Sequence, residues 1–133
     1  MFEFVVHGIP RTIQTKRSST KNDWKQKVAT KAREQTAEDP FYVNDGCSAT
    51  IVYYYMGSTE LDVDGISKLI LDSLEQIVYE DDKIVEQVIV RKTNQIGLQI
   101  TNPPAVLAEG LLSNESLVYI RIDAAPNHAE LPK

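Results

Sequence analysis

Residues 60–74 read Glu60-Leu61-Asp62-Val63-Asp64-Gly65-Ile66-Ser67-Lys68-Leu69-Ile70-Leu71-Asp72-Ser73-Leu74. Two periodicities meet there. Just upstream, Ala49 to Met56 is rich in β-branched and aromatic residues (Ile51, Val52, Tyr53, Tyr54, Tyr55) and predicts a strand, broken by Gly57-Ser58-Thr59. Downstream, Ile66, Leu69, Ile70, Leu74 and Ile77 recur at helical spacing and predict a helix from Asp64 to Val78. Residues Lys83 to Lys92 alternate again as a strand. Further out, Phe2 to Gly8 predicts a strand with Phe2, Phe4 and Val6 on one face. Asn22 or Asp23 can cap a helix reaching Thr36, with Trp24, Val28 and Ala32 inward. Leu98 to Thr101 reads as a short strand, Pro103-Pro104 as a break, and Leu117 to Asp123 as the last strand. The order β-α-β-α-β-β predicts an α+β fold, a mixed β-sheet with two helices packed on it. One domain is expected over residues 1–123, with a flexible tail over 124–133.

The same stretch carries the chemistry. In an extended segment, Asp62 and Asp64 project to one side, and two adjacent carboxylates repel unless a proton or a cation intervenes. Magnesium takes oxygen ligands, usually only one or two carboxylates, and fills its shell with water and phosphate oxygens. On a helix, Asp64, Lys68 and Asp72 form one polar stripe opposite Ile66, Ile70, Leu74 and Ile77. Tyr79-Glu80-Asp81-Asp82 then brings further acids to the start of the next strand. This suits phosphodiester hydrolysis, with a lysine and a helix N-terminus near a phosphate. Duller readings fit the separate pieces. Asp62 and Asp64 suit a helix start on electrostatic grounds alone, Lys68 suits an i,i+4 ion pair, and Asp81-Asp82 suits a polar turn.

Composition bounds the rest. The chain has 133 residues, 42% of them apolar and 25% charged, which suits one globular domain. No run approaches the roughly 20 apolar residues of a membrane helix. The single cysteine, Cys47, makes no internal disulfide, so a reducing cytoplasmic setting is the default expectation. A net charge of −5 argues against nucleic acid when taken in bulk. Its distribution argues the other way. Arg11, Lys16, Arg17, Lys21, Lys25, Lys27, Lys31 and Arg33 face a single acid, Asp23, over residues 11–33, whereas acids crowd residues 60–86. A segment so unbalanced favours phosphate contact over a plain solvated face.

The pattern Asp62-x-Asp64-x-x-x-Lys68-x-x-x-Asp72-x-Leu74, followed by Val78-Tyr79-Glu80-Asp81-Asp82, resembles the signature of RusA-like Holliday junction resolvases, the crossover junction endodeoxyribonucleases. Val6-His7-Gly8-Ile9-Pro10, then a basic loop and Trp24-Lys25, is similar to the start of many members. The resemblance implies a homodimer that nicks branched DNA in recombination and repair. It implies Mg²⁺, with Mn²⁺ as a substitute, held by Asp62, Asp64 and Asp82, with Lys68 as the essential lysine. Asp72 and Asp81 would support these residues, and Arg11, Lys16, Arg17, Lys21, Lys25 and Lys31 would contact DNA. Neither a membrane nor a small-molecule cofactor is implied. The chain departs from the family pattern in carrying Gly65 where Asn is common, and Gly57-Ser58-Thr59-Glu60 where the best-known member has an arginine run. A nuclease for other branched DNA, or a branched-DNA-binding module with weak or no turnover, are the alternatives the motif leaves open.

Overall fold

The computed structural model describes residues 1–133. Strand β1 (Phe2–His7) leads into helix α1 (Ser18–Glu38), then strand β2 (Cys47–Tyr55), helix α2 (Ser67–Ser73), strand β3 (Val85–Asn94), helix α3 (Ala105–Leu111) and strand β4 (Leu117–Ala124). Single 3-10 turns, Val63–Gly65 and Asp82–Ile84, flank α2 on either side. The four strands form one mixed sheet in the order β1-β4-β2-β3, antiparallel except for the β2–β3 pair. A parallel pair cannot be closed by a hairpin and requires a crossover. Residues 56–84, which carry the whole acidic motif, are that crossover.

Alternation along the strands divides the core. Phe2, Phe4, Val6, Ala49, Ile51, Tyr53, Ile120 and Ile122 pack in one cluster with Trp24, Val28 and Ala32 of α1 and with Leu69 and Ile70 of α2. The opposite face places Val5, Val52, Tyr54 and Tyr119 with Leu107 of α3. Ile51, Ile70 and Ile120 are fully buried, each worth about 2–3 kcal/mol of apolar transfer. Cys47 is a buried free thiol inside the larger cluster.

The α+β architecture and the four main strands agree with the sequence, but four local expectations are corrected. Helix α1 starts at Ser18 rather than Asn22 or Asp23, so the Ser18-Ser19-Thr20 cluster is helical and Arg17 is its N-cap. Helix α2 spans only Ser67–Ser73. Gln76 takes a left-handed φ of 66°, which ends regular helix although Leu74 and Val78 remain buried. Leu98 to Thr101 makes no strand; Gly97 turns there, and the Leu98 amide donates to the Gln95 carbonyl at 3.0 Å. A third helix, α3, follows Pro103-Pro104. Proline lacks a donor that the first helical turn does not need, and the Pro104 carbonyl accepts from Leu107 and Ala108.

Tyr79 joins this core to the motif. Its ring is fully buried and its hydroxyl donates to the Leu71 carbonyl at 2.7 Å. Burial, then the charge of Asp82, raises its phenol well above the ordinary range. Burial likewise raises Tyr53, Tyr54, Tyr119 and Cys47. These are acids whose folded-state values lie above their unfolded ones, so the stability linked to them is intact below the unfolded values and is lost as pH rises past them. Denaturant midpoints are therefore expected to hold from pH 7 to about 9 and to fall between about 9 and 11, each group adding up to about 1.4 kcal/mol per pH unit. Tyr79→Phe should lose about 1–2 kcal/mol at pH 7 and show a shallower alkaline fall. An unchanged slope in that variant would remove Tyr79 from the linkage.

Candidate active site

Two groups of acids lie along the crossover, Asp62 and Asp64 before α2 in the chain and Asp72, Glu75 and Asp82 from its second half onward. Lys68, the second residue of α2, extends along its own helix so that Nζ donates to Asp72 Oδ1 at 2.9 Å, the i,i+4 pair expected on the polar stripe. The same ammonium donates to Asp82 Oδ2 at 3.1 Å, across the turn that separates α2 from β3. The path between them is tightly determined. The Ser73 hydroxyl bonds the Leu69 carbonyl at 2.6 Å, the Gln76 amide bonds the Tyr79 carbonyl at 2.7 Å, and the Gln76 side chain reaches the Glu80 carbonyl at 2.9 Å. These bonds fold residues 74–80 back on the helix and return Asp82 to Lys68.

The neighbouring acids of that turn are used differently. Asp81 Oδ1 accepts from the Lys83 amide at 2.9 Å and caps the 3-10 turn. Asp82 is free of that duty and faces Lys68. Asp72 first, and Asp82 second, hold the Lys68 ammonium above the ordinary lysine range. Its side chain is 54% exposed, so this is a statement about protonation rather than about stability.

Glu75 joins the cluster, and the sequence reading missed it. One carboxylate oxygen each from Asp72, Glu75 and Asp82 lie within 4.8 Å of one another, all three residues half-buried. The available signal was spacing, since Glu75 follows Asp72 by three and Lys68 by seven, two steps along one helical face. An all-oxygen set of this kind suits a hard divalent cation.

Asp62 and Asp64 directly precede α2 in the chain. Asp62 is extended and precedes the 3-10 turn, and Asp64 sits within that turn, so the two are not consecutive same-side residues of one extended run. Because α2 begins at Ser67, Asp64 is also off its polar stripe. Both residues are exposed, and Asp64 is not among the partners of Lys68. Strand β3 anchors the loop before them. Lys92 Nζ donates to the Leu61 carbonyl at 2.6 Å, and the Asn94 amide bonds both backbone groups of Gly57 at 2.8 and 3.2 Å.

The basic loop comes to this aspartate turn. Thr12 and Thr15 close a tight turn: the Thr15 amide bonds the Thr12 carbonyl at 3.0 Å, and the Thr12 amide bonds Thr15 Oγ1 at 3.1 Å. A Cβ on Gly65 would lie 3.2 Å from Thr12 Cγ2 and 3.6 Å from Gln14 Oε1. A side chain at position 65 would therefore press on Thr12 and require it to give by a few tenths of an ångström. Arg11, Lys16 and Arg17 flank this turn in the chain, and Lys21 Nζ reaches the Ile13 carbonyl at 3.4 Å. Lys25 is half-buried on α1. Lys31 lies 3.4 Å from Glu34 and is already paired. Gly65→Ala is expected to displace the loop by a few tenths of an ångström, lowering turnover about fivefold with little loss of stability. Unchanged kinetics would show that the loop tolerates the shift.

No helix of the chain is long and apolar enough to cross a membrane. Residues 6–101 match the family model described as Endodeoxyribonuclease RusA, a span that includes both clusters and ends before α3 and β4. No curated protein matches the chain.

Proposed function

Because the chain belongs to the RusA endodeoxyribonuclease family, we propose that it hydrolyses phosphodiester bonds at four-way DNA junctions, with magnesium held by Asp62, Asp64 and Asp82. The observation that carries this reading is the Lys68–Asp82 contact, in which two motif positions fourteen residues apart meet at 3.1 Å. Magnesium, when bound, would polarise the phosphoryl oxygen and lower the pKa of a coordinated water. The chain's own residues supply the rest. Two of the three Lys68 N–H groups go to Asp72 and Asp82, leaving one for a phosphate oxygen. The ammonium stabilises charge there as the phosphorus centre gains its fifth oxygen. Asp72 fixes the Lys68 rotamer, and Tyr79 fixes the turn that delivers Asp82.

The approach of Thr12 and Gln14 to Gly65 supports a role for the cations that flank this turn and begin α1 in neutralising backbone phosphates. Lys16→Ala, Arg17→Ala and Lys25→Ala are each expected to weaken junction binding and to lower the slope of log K against log salt by about one. Lys31→Ala should have a smaller effect, because Glu34 already neutralises that ammonium. Equal slopes in all four variants would place DNA elsewhere on the molecule.

That Asp62 and Asp64 are not among the three carboxylates gathered within 4.8 Å of one another favours one second reading, a branched-DNA-binding module without turnover. Cleavage of an end-labelled synthetic junction, with and without Mg²⁺ or Mn²⁺ and beside a linear duplex, decides between the two. Symmetric metal-dependent nicks confined to the junction support a homodimeric resolvase. Binding without nicks supports the module. Nicks on other branched substrates, with the four-way junction left intact, would overturn the choice of substrate.

A further inference from the structure

The face of the sheet opposite α2 holds a second polar cluster with no part in the proposed cleavage. Register brings it together: Val52 of β2 pairs with Arg91 of β3 on one side and Tyr119 of β4 on the other, while Thr50 pairs with Arg121. These side chains, with Tyr54 and Asn102, line a cavity of about 260 Å³ between the sheet and the segment leading into α3. Asn102 holds a left-handed φ of 48° and precedes two prolines, so that rim is stiff.

Donors outnumber acceptors in this cavity. No carboxylate lines it. Arg121 spends Nε on Asp123 at 2.8 Å and one Nη2 hydrogen on Thr50 at 3.4 Å, and its guanidinium also lies beside the Tyr119 hydroxyl. Arg91 has no carboxylate partner. The Tyr119 hydroxyl, in a residue only 4% exposed, makes no well-formed hydrogen bond and has the Arg121 guanidinium as its polar neighbour. A buried hydroxyl without a well-formed hydrogen bond is costly, and an acceptor placed between it and Arg121 would satisfy both. Two guanidinium groups and a phenol O–H converging from two strands fit an oxyanion with several acceptor oxygens.

We propose that this cavity is a phosphate-binding site, in which Arg91, Arg121 and Tyr119 hold a phosphate group on the face of the sheet away from the carboxylate–lysine cluster. The phosphate comes either from a DNA backbone or from a free phosphate or nucleotide, and one experiment separates these sources. Inorganic phosphate is titrated into the full chain at constant ionic strength, with chloride as control, and the Arg91 and Arg121 Nε–H resonances are followed by NMR. The expected result is a saturable shift at both arginines. Arg91→Ala should weaken it about tenfold and Tyr119→Phe several-fold, with the backbone spectrum otherwise unchanged. A short duplex is then added. Shifts of the same resonances, competed by phosphate, assign the site to a DNA backbone; shifts with inorganic phosphate alone assign it to a free ligand. Shifts that match the chloride control, or that persist at full affinity in Arg91→Ala, overturn the proposal. Cleavage activity does not enter the readout, so the result stands apart from the junction-resolvase reading.

Discussion

Asp64→Asn is expected to cut junction cleavage by about a thousandfold, roughly 4 kcal/mol of transition-state stabilisation, while leaving junction affinity within about twofold. Asp64 makes no contact that holds the fold. Its side chain is exposed and pairs with no cation of the chain, so replacing it by a neutral isostere removes no fold contact. Nor does it remove a phosphate contact, since a carboxylate repels phosphate. What it removes is one negative oxygen from the ligand set proposed for the cation. Cleavage and binding measured on the same labelled junction separate the two effects. Full activity in the variant would exclude Asp64 from the metal site. Loss of binding together with cleavage would show that the turn serves as a DNA contact instead.

Much of this arrangement was legible in residues 60–92, for reasons that differ by element. Strands β2 and β4 are buried on both faces over much of their length, so β-branched and aromatic runs mark them plainly. The Lys68–Asp72 pair follows from helical spacing alone. Helix α2 was too long as read because Leu74, Ile77 and Val78 keep a helical period while the chain leaves the helix. The signal for burial and the signal for helix coincide until Gln76 takes a positive φ. Helix α3 was missed because prolines mark breaks and also helix starts, and only the Pro104 carbonyl bonds tell which applies.

Other features could not be read from local sequence at all. The contact of Gly65 with Thr12 joins residues more than fifty positions apart, and Lys92 meets Leu61 across 31 positions. Nothing in the neighbourhood of Thr12 announces that it abuts the aspartate turn. Asn at position 65 would have to enter space that Thr12 and Gln14 already border. The departure from the family pattern at Gly65 is thus tied to the way the basic loop seats in this chain.

Lys68→Met is expected to lower junction cleavage by about 10²–10³-fold, the usual loss when one positioned donor to a developing anion is removed. Unfolding is an inadequate alternative explanation. An exposed i,i+4 pair such as Lys68–Asp72 contributes only ~0.3–0.5 kcal/mol to stability. Asp72→Asn alone should cost about tenfold, because it removes the partner that holds the lysine without removing the ammonium. The double variant then carries the test. If Asp72 acts through Lys68, adding Asp72→Asn to Lys68→Met should cost almost nothing more, a coupling of about 1.4 kcal/mol. Additive losses would instead give Asp72 a role of its own, most simply as a partner of Glu75 and Asp82 in holding the cation. Mg²⁺ affinity measured by calorimetry would then fall in Asp72→Asn and in Glu75→Gln, and rise in Lys68→Met, where the competing ammonium leaves Asp72 and Asp82.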